Sequence, residues 1–262
     1  MRASRDARSP GDALVAYGRE LEARGDAQLG GSFTDIPEAD RLIKERPEAF
    51  LFGVLFTQGI SAERAWAGPY LLSQRLGHLD LTRLTEEPDA VREAIARPPA
   101  LHRFVETLPV WIVSAARRLL DDYDGEAARI WAPGTHVLEV TERLRAFDGI
   151  GPKKAAMAVE ILVRHFGANL RGAECGDVAY DVHVRRVFLR SGLIDRDVPE
   201  EVSRAAREAC PERPGLLDLP AWLIGRETCR PGQPQCETCR IGDACARRTH
   251  LDVEGVGVRR RG

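Results

Sequence analysis

Leu144-Arg145-Ala146-Phe147-Asp148-Gly149-Ile150-Gly151-Pro152-Lys153-Lys154-Ala155 is the stretch on which the reading of the fold turns. Gly149 and Gly151 allow positive φ and close backbone approach, and Pro152 suits the first position of a helix, so the stretch predicts a tight turn between two helices. Apolar residues recur at helical spacing on both sides: Val137, Val140, Leu144 and Phe147 before the turn, Ala155, Val159, Leu162 and Phe166 after it. Backbone N–H groups at such a turn suit a phosphate, although a plain helix–helix connector has the same local chemistry.

The same helical spacing runs through most of the chain, and period-two strand patterns are absent. Turn signals at Arg97-Pro98-Pro99, Ala132-Pro133-Gly134, Asp148-Gly149 and Pro231-Gly232 separate the segments. An all-α architecture is therefore expected. Met1 to Pro10 and the Arg259-Arg260-Arg261 tail read as loose ends.

The chain has 262 residues, 44% hydrophobic and 30% charged, which is ordinary for a globular protein and too apolar for wholesale disorder. The apolar run around Phe50 to Phe56 is too short to cross a bilayer, and the start lacks the apolar stretch of a signal peptide. No membrane partner and a reducing, cytoplasmic setting are expected. A net charge of −2 argues against a basic nucleic-acid coat. Residues 141–190, with nine Lys/Arg against six Asp/Glu, and 226–262, with eight against five, are nonetheless locally basic.

Four of the six cysteines, Cys229, Cys236, Cys239 and Cys245, stand in a C-x6-C-x2-C-x5-C pattern. Thiolates so close in sequence can converge on one centre, and an all-Cys set suits zinc or an iron–sulfur cluster. Zinc ribbons usually present two C-x2-C pairs, whereas one is present here, so the cluster is preferred. Cys175 and Cys210 lie outside the pattern and read as small packed residues.

A further segment, Ala179-Tyr180-Asp181-Val182-His183-Val184-Arg185-Arg186-Val187, opens another amphipathic helix. The order G-I-G-x-K-x-A, then D-x-H-x-x-R-V, then the cysteine loop with its lead-in Trp222 to Cys229, closely resembles the helix-hairpin-helix DNA glycosylases of the endonuclease III type. Leu55-Phe56-Thr57-Gln58 is similar to the segment of that family whose glutamine enters the gap left by an extruded base. The resemblance covers about residues 48–245. Alone, Lys153 would read as a surface lysine, Asp181 as an N-cap, His183 as a hydrogen-bonded structural residue and Gln58 as an ordinary polar residue.

The resemblance implies two helical lobes with a DNA cleft between them: a six-helix domain over 36–170 carrying the hairpin, and a second domain from 1–35 and 171–262 with a [4Fe-4S] loop at 229–245. It places Lys153 on the nucleophile and Asp181 on the essential aspartate. Gly149, Ile150, Gly151, Lys154, Gln58, Arg230 and His183 become candidate DNA contacts, with Arg240 a further candidate beside the cluster. Cys229, Cys236, Cys239 and Cys245 would ligate the cluster. The implied partner is double-stranded DNA with a damaged or mispaired base, met by a nucleoid-associated monomer. The implied activity is base excision with β-elimination through a lysine Schiff base. Two rivals stand beside it: a monofunctional mismatch or uracil glycosylase, and a non-catalytic cluster-bearing DNA-binding protein. Asp148, Lys154, Tyr180 and the apolar segment Leu108 to Val113 with Trp111 depart from the family pattern.

Overall fold

The computed structural model describes residues 9–24 and 32–253. The arginine tail and most of the loose start lie outside them. Within the described part of that start, Ser9 caps and Pro10 opens the first helix. Among the described residues the chain is all-α, with twelve α-helices and no strand; His136 and Arg171 form an isolated bridge. No helix of the described residues is long and apolar enough to cross a membrane.

The chain divides into two compact units, Asp26–Arg171 and a split unit of Met1–Gly25 with Gly172–Gly262. The first holds α2 (Pro37–Glu45), α3 (Pro47–Phe56), α4 (Ala62–Leu76), α5 (Leu81–Glu86), α6 (Pro88–Ala96), α7 (Thr107–Tyr123), α8 (Val137–Arg145) and α9 (Pro152–Arg164). These are eight helices where six were expected. Proline sits in the first turn of α2, α3, α6 and α9, cutting the polypeptide into more, shorter helices because it lacks the N–H needed to continue one. The unit also begins before the boundary expected at residue 36: Phe33 packs on Trp66, with ring centroids 4.8 Å apart, and on Phe166.

The axis of this unit is α3. Its residues from Ala49 to Phe56 are all buried, so it is apolar on every face and neighbours must surround it. Helices α2, α4 and α7 do so. Phe50 stacks on Trp66 at 5.7 Å and meets Trp131 and Phe166 edge-on. Close approach of α3 and α4 depends on two glycines. A Cβ on Gly53 would lie 2.5 Å from the Trp66 ring, and one on Gly68 would lie 2.3 Å from the Phe56 ring.

The split unit contains α1 (Pro10–Ala23), α10 (Val182–Ser191), α11 (Pro199–Ala209) and α12 (Asp218–Glu227). Ser9 and Asp12 form a capping box at the start of α1. Leu14, Val184, Val187, Phe188, Val202 and Leu217 are among the residues of its core, against which Cys229, Cys239 and Cys245 pack. Gly225 lets α12 lie on α10, since a Cβ there would stand 2.5 Å from the His183 carbonyl oxygen.

Gly53→Ala should therefore destabilise the protein. Alanine gains about 1 kcal/mol in helix propensity, but the methyl group must displace a fully buried Trp66 in a filled core, at roughly 1–3 kcal/mol. A thermal melt should show Tm falling by a few degrees; an unchanged or raised Tm would contradict this packing.

Candidate functional site

The hairpin forms as its glycines dictate. Gly149 adopts φ 81°, a left-handed conformation open to glycine, and the Ile150 N–H donates to the Phe147 carbonyl at 3.1 Å, closing the turn. Helix α7 braces it. The Ser114 hydroxyl donates to Asp148 at 2.7 Å, and the Arg118 guanidinium donates to the Ala146 carbonyl at 2.7 Å while lying over the Phe147 ring. The acid at 148 is thus held by α7. Trp111, also on α7, packs so closely that a Cβ on Gly149 would sit 2.5 Å from its ring, whereas a Cβ on Gly151 would meet nothing within 4 Å. Among the described residues, the backbone N–H groups of Gly149 and Gly151 donate to no protein acceptor. Ile150, expected among the DNA contacts, has a buried side chain and uses its N–H inside the turn.

Successive residues on a helix point about 100° apart, so Lys153 and Lys154 cannot share a face. Lys153 is exposed. Lys154, expected at a phosphate, instead points inward: it is 7% exposed, its Nζ donates to the Leu55 carbonyl at 2.8 Å, and it lies 5.4 Å from the Trp111 ring centroid. Burial, reinforced by the neighbouring Lys153 charge, pushes its pKa down to about 8.

Gln58 follows the end of α3 and is exposed, between Thr57, which caps the helix, and Gly59 at φ 71°. His102 is buried beside this loop. Its Nδ1 accepts from the Phe104 N–H at 3.0 Å and its Nε2 meets the Phe56 carbonyl at 3.1 Å, so the network assigns a neutral ring with the proton on Nε2. Burial holds its pKa below the usual histidine value.

Asp181 lies in the split unit as the N-cap of α10, 8% exposed, with its carboxylate accepting from the His183 N–H at 2.8 Å. Tyr180 before it is anchored, its hydroxyl donating to Asp197 and the Arg185 guanidinium lying 4.4 Å from its ring centroid. His183 is half-buried, near the Arg186 guanidinium at 3.1 Å and edge-on to Trp222. Lys153 and Asp181 belong to different units.

All four cysteines of the loop carry free thiols and line one concavity, partly open to solvent, with Val187, Arg190, Ile224 and Ile241. Burial raises the Cys229 and Cys245 pKa values. N–H groups reach the sulfurs: Arg190 Nη1 stands 3.8 Å from Cys229 Sγ, and the Arg247 N–H donates to Cys245 Sγ at 3.3 Å. Among the described residues no set of three His, Cys, Asp or Glu is arranged to hold a metal ion. Two buried arginines one helical turn apart fasten the loop. Arg186 donates to the carbonyls of Gly225 and Cys229, and Arg190 to those of Arg230 and Leu251. The Arg230 side chain is exposed, whereas Arg240 pairs with Glu20 at 2.7 Å and lies over Tyr17. Cys210 is buried and Cys175 only half so.

No protein-family model matches the chain. It is 27% identical over 135 residues to endonuclease III of Thermotoga maritima, covering 51% of this chain and 54% of that one. It is 28% identical over 144 residues to the Escherichia coli enzyme, covering 54% and 58%. The chain thus spans about half the length of the curated relatives it matches. Among solved structures it resembles a thermostable thymine-DNA glycosylase, with TM-score 0.62, 14% identity, and 91% of this chain and 98% of that one covered. A trapped endonuclease III–DNA covalent intermediate gives TM-score 0.55 at 18% identity, with 88% and 96% covered. These likenesses show the fold, the all-α arrangement of helix-hairpin-helix glycosylases.

Burial of Lys154 has a measurable signature. The folded protein releases this proton near pH 8, whereas the unfolded chain holds it to its ordinary 10.5. Between those values unfolding takes up a proton, so stability rises with pH, by at most about 1.4 kcal/mol per pH unit. Urea unfolding at about pH 7.5 and about pH 9.5 should show wild type gaining on Lys154→Met across this window; parallel pH curves would mean the lysine is solvated.

Proposed function

We propose that this endonuclease III-like chain is a DNA glycosylase of base-excision repair, with an associated lyase step at abasic sites. The observation that carries the reading is the hairpin: two glycines whose N–H groups have no protein acceptor among the described residues, ahead of a helix whose second residue, Lys153, points outward. Such N–H groups and the positive end of α9 suit a DNA phosphate. A base within a duplex is out of reach, so it must be extruded at a cost of a few kcal/mol, which Gln58 entering the gap offsets.

Cleavage of the N-glycosidic bond builds positive charge on the sugar. The Lys153 amine, once neutral, bonds to C1′ as the C1′–N bond breaks and the base leaves with that electron pair. Asp181 is the carboxylate assigned to stabilise the developing cation, and the proton lost from the amine passes to water. Ring opening gives a Schiff base. Loss of a proton from C2′ then expels the 3′ phosphate with its bonding electrons, and water releases Lys153.

The four thiols fit a [4Fe-4S] cluster: they line one concavity, and N–H groups reach two of the sulfurs. When bound, such a cluster would cross-link the loop at 229–245 rather than take part in bond breaking. That would hold Arg230 at the surface, where it would meet a phosphate.

Sodium borohydride trapping on abasic-site duplex tests the assignment. Wild type should form a covalent adduct and Lys153→Gln none, while Asp181→Asn should slow base release by orders of magnitude. An adduct that persists in Lys153→Gln but vanishes in Lys154→Gln would move the nucleophile by one position. No adduct with wild type would remove the lyase step.

Protein purified without oxygen should be yellow-brown and contain iron and inorganic sulfide, lost when any of Cys229, Cys236, Cys239 or Cys245 becomes Ala. Stoichiometric zinc without iron would overturn the cluster.

A further inference from the structure

The C-terminal end of α3 poses a backbone problem. The last carbonyls of a helix have no partner within it, and because α3 is buried to its final residue they cannot turn to water. Each finds a donor. Val54 accepts from the Thr57 N–H at 3.2 Å and the Thr57 hydroxyl at 2.7 Å. Leu55 accepts from Lys154 at 2.8 Å, and Phe56 from His102 at 3.1 Å. Beyond the helix, Arg103 reaches the Gly59 carbonyl at 3.5 Å. Exposed Gln58 is thus carried by a loop whose carbonyls on both sides are gripped by side chains from distant segments.

Of the side chains from distant segments, Lys154 alone rises from the helix that opens at the hairpin. Trp111 completes a continuous path, packing against Gly149 at one edge and lying over the Lys154 ammonium. The chain of contact therefore runs from Gly149 through Trp111 and Lys154 to Leu55, three residues before Gln58. A lysine in this position is desolvated, a penalty that an apolar side chain of the same length would avoid. What the lysine adds is a charged donor for a carbonyl that would otherwise be buried without one.

We propose that Lys154 is a positioning residue that ties the helix-hairpin-helix to the Gln58 loop, so that phosphate capture at Gly149 and Gly151 presents Gln58 to the duplex at a set depth. The inference rests on the reading of the chain as a base-extruding glycosylase. Lys154 touches neither DNA nor the reacting sugar; it acts through Gln58.

A duplex carrying 2-aminopurine opposite a tetrahydrofuran abasic-site analogue reports entry of Gln58 into the gap as a fluorescence change, whatever lesion the protein excises. Gln58→Ala should abolish most of that change. Lys154→Met should cut it roughly tenfold, the scale of one buried carbonyl left unpaired, with affinity for undamaged duplex held within about twofold. Lys154→Arg, which keeps a charged donor, should restore part of the signal. In a Gln58→Ala background Lys154→Met should have no further effect, the non-additivity expected of residues acting as one unit.

A full signal from Lys154→Met, or losses that multiply in the double variant, would overturn the tie. So would an equal loss of affinity for undamaged duplex, which would make Lys154 a phosphate ligand. A signal unchanged by Gln58→Ala, or absent from wild type, would overturn the extrusion reading itself and the tie with it. Should Lys154→Met melt below the assay temperature, Lys154→Gln, which replaces the charged donor by a shorter, neutral one, carries the same test with a smaller loss expected.

Discussion

A helix without a polar face obliges its surroundings to do two things at once: cover every side and satisfy both ends. In the 26–171 unit that helix is α3, and much of the architecture follows from it. Covering its sides brings α2, α4 and α7 close and requires glycine at 53 and 68, where helix backbones and aromatic rings meet. Satisfying its end draws in Lys154, His102 and Thr57. The loop bearing Gln58 is what emerges once both demands are met.

The split unit solves a comparable problem differently. The cysteine segment has little regular structure, so its carbonyls need partners from elsewhere. Arg186 and Arg190, buried on one face of α10, provide them, each guanidinium serving carbonyls distant in sequence. The helix that starts at Asp181 therefore also organises the loop of thiols. A planar, multi-donor side chain suits this task better than lysine.

What could be read from the amino acids alone was whatever is encoded over short spans. The hairpin was legible because two glycines and a proline fix its turn, and Asp181 was legible as a cap because capping is a local act. The cysteine spacing belongs to the same class. The facing of Lys153 and Lys154 was not legible, since it is decided by Trp111 and by a carbonyl 99 residues away. Gly53 and Gly68 gave no signal, because their need comes from rings on a partner helix.

Trp111 and Gly149 illustrate a wider constraint on how such a protein can change. As long as an indole lies against the turn, position 149 admits no side chain, so the two sites form an epistatic pair. A smaller residue at 111 would lift the steric prohibition at 149 and leave its left-handed backbone as the remaining restriction, a route open to asparagine as well as glycine. For anyone reshaping the surface around this turn, the order of substitutions matters: the tryptophan must go first, because the reverse order passes through a variant with overlapping atoms.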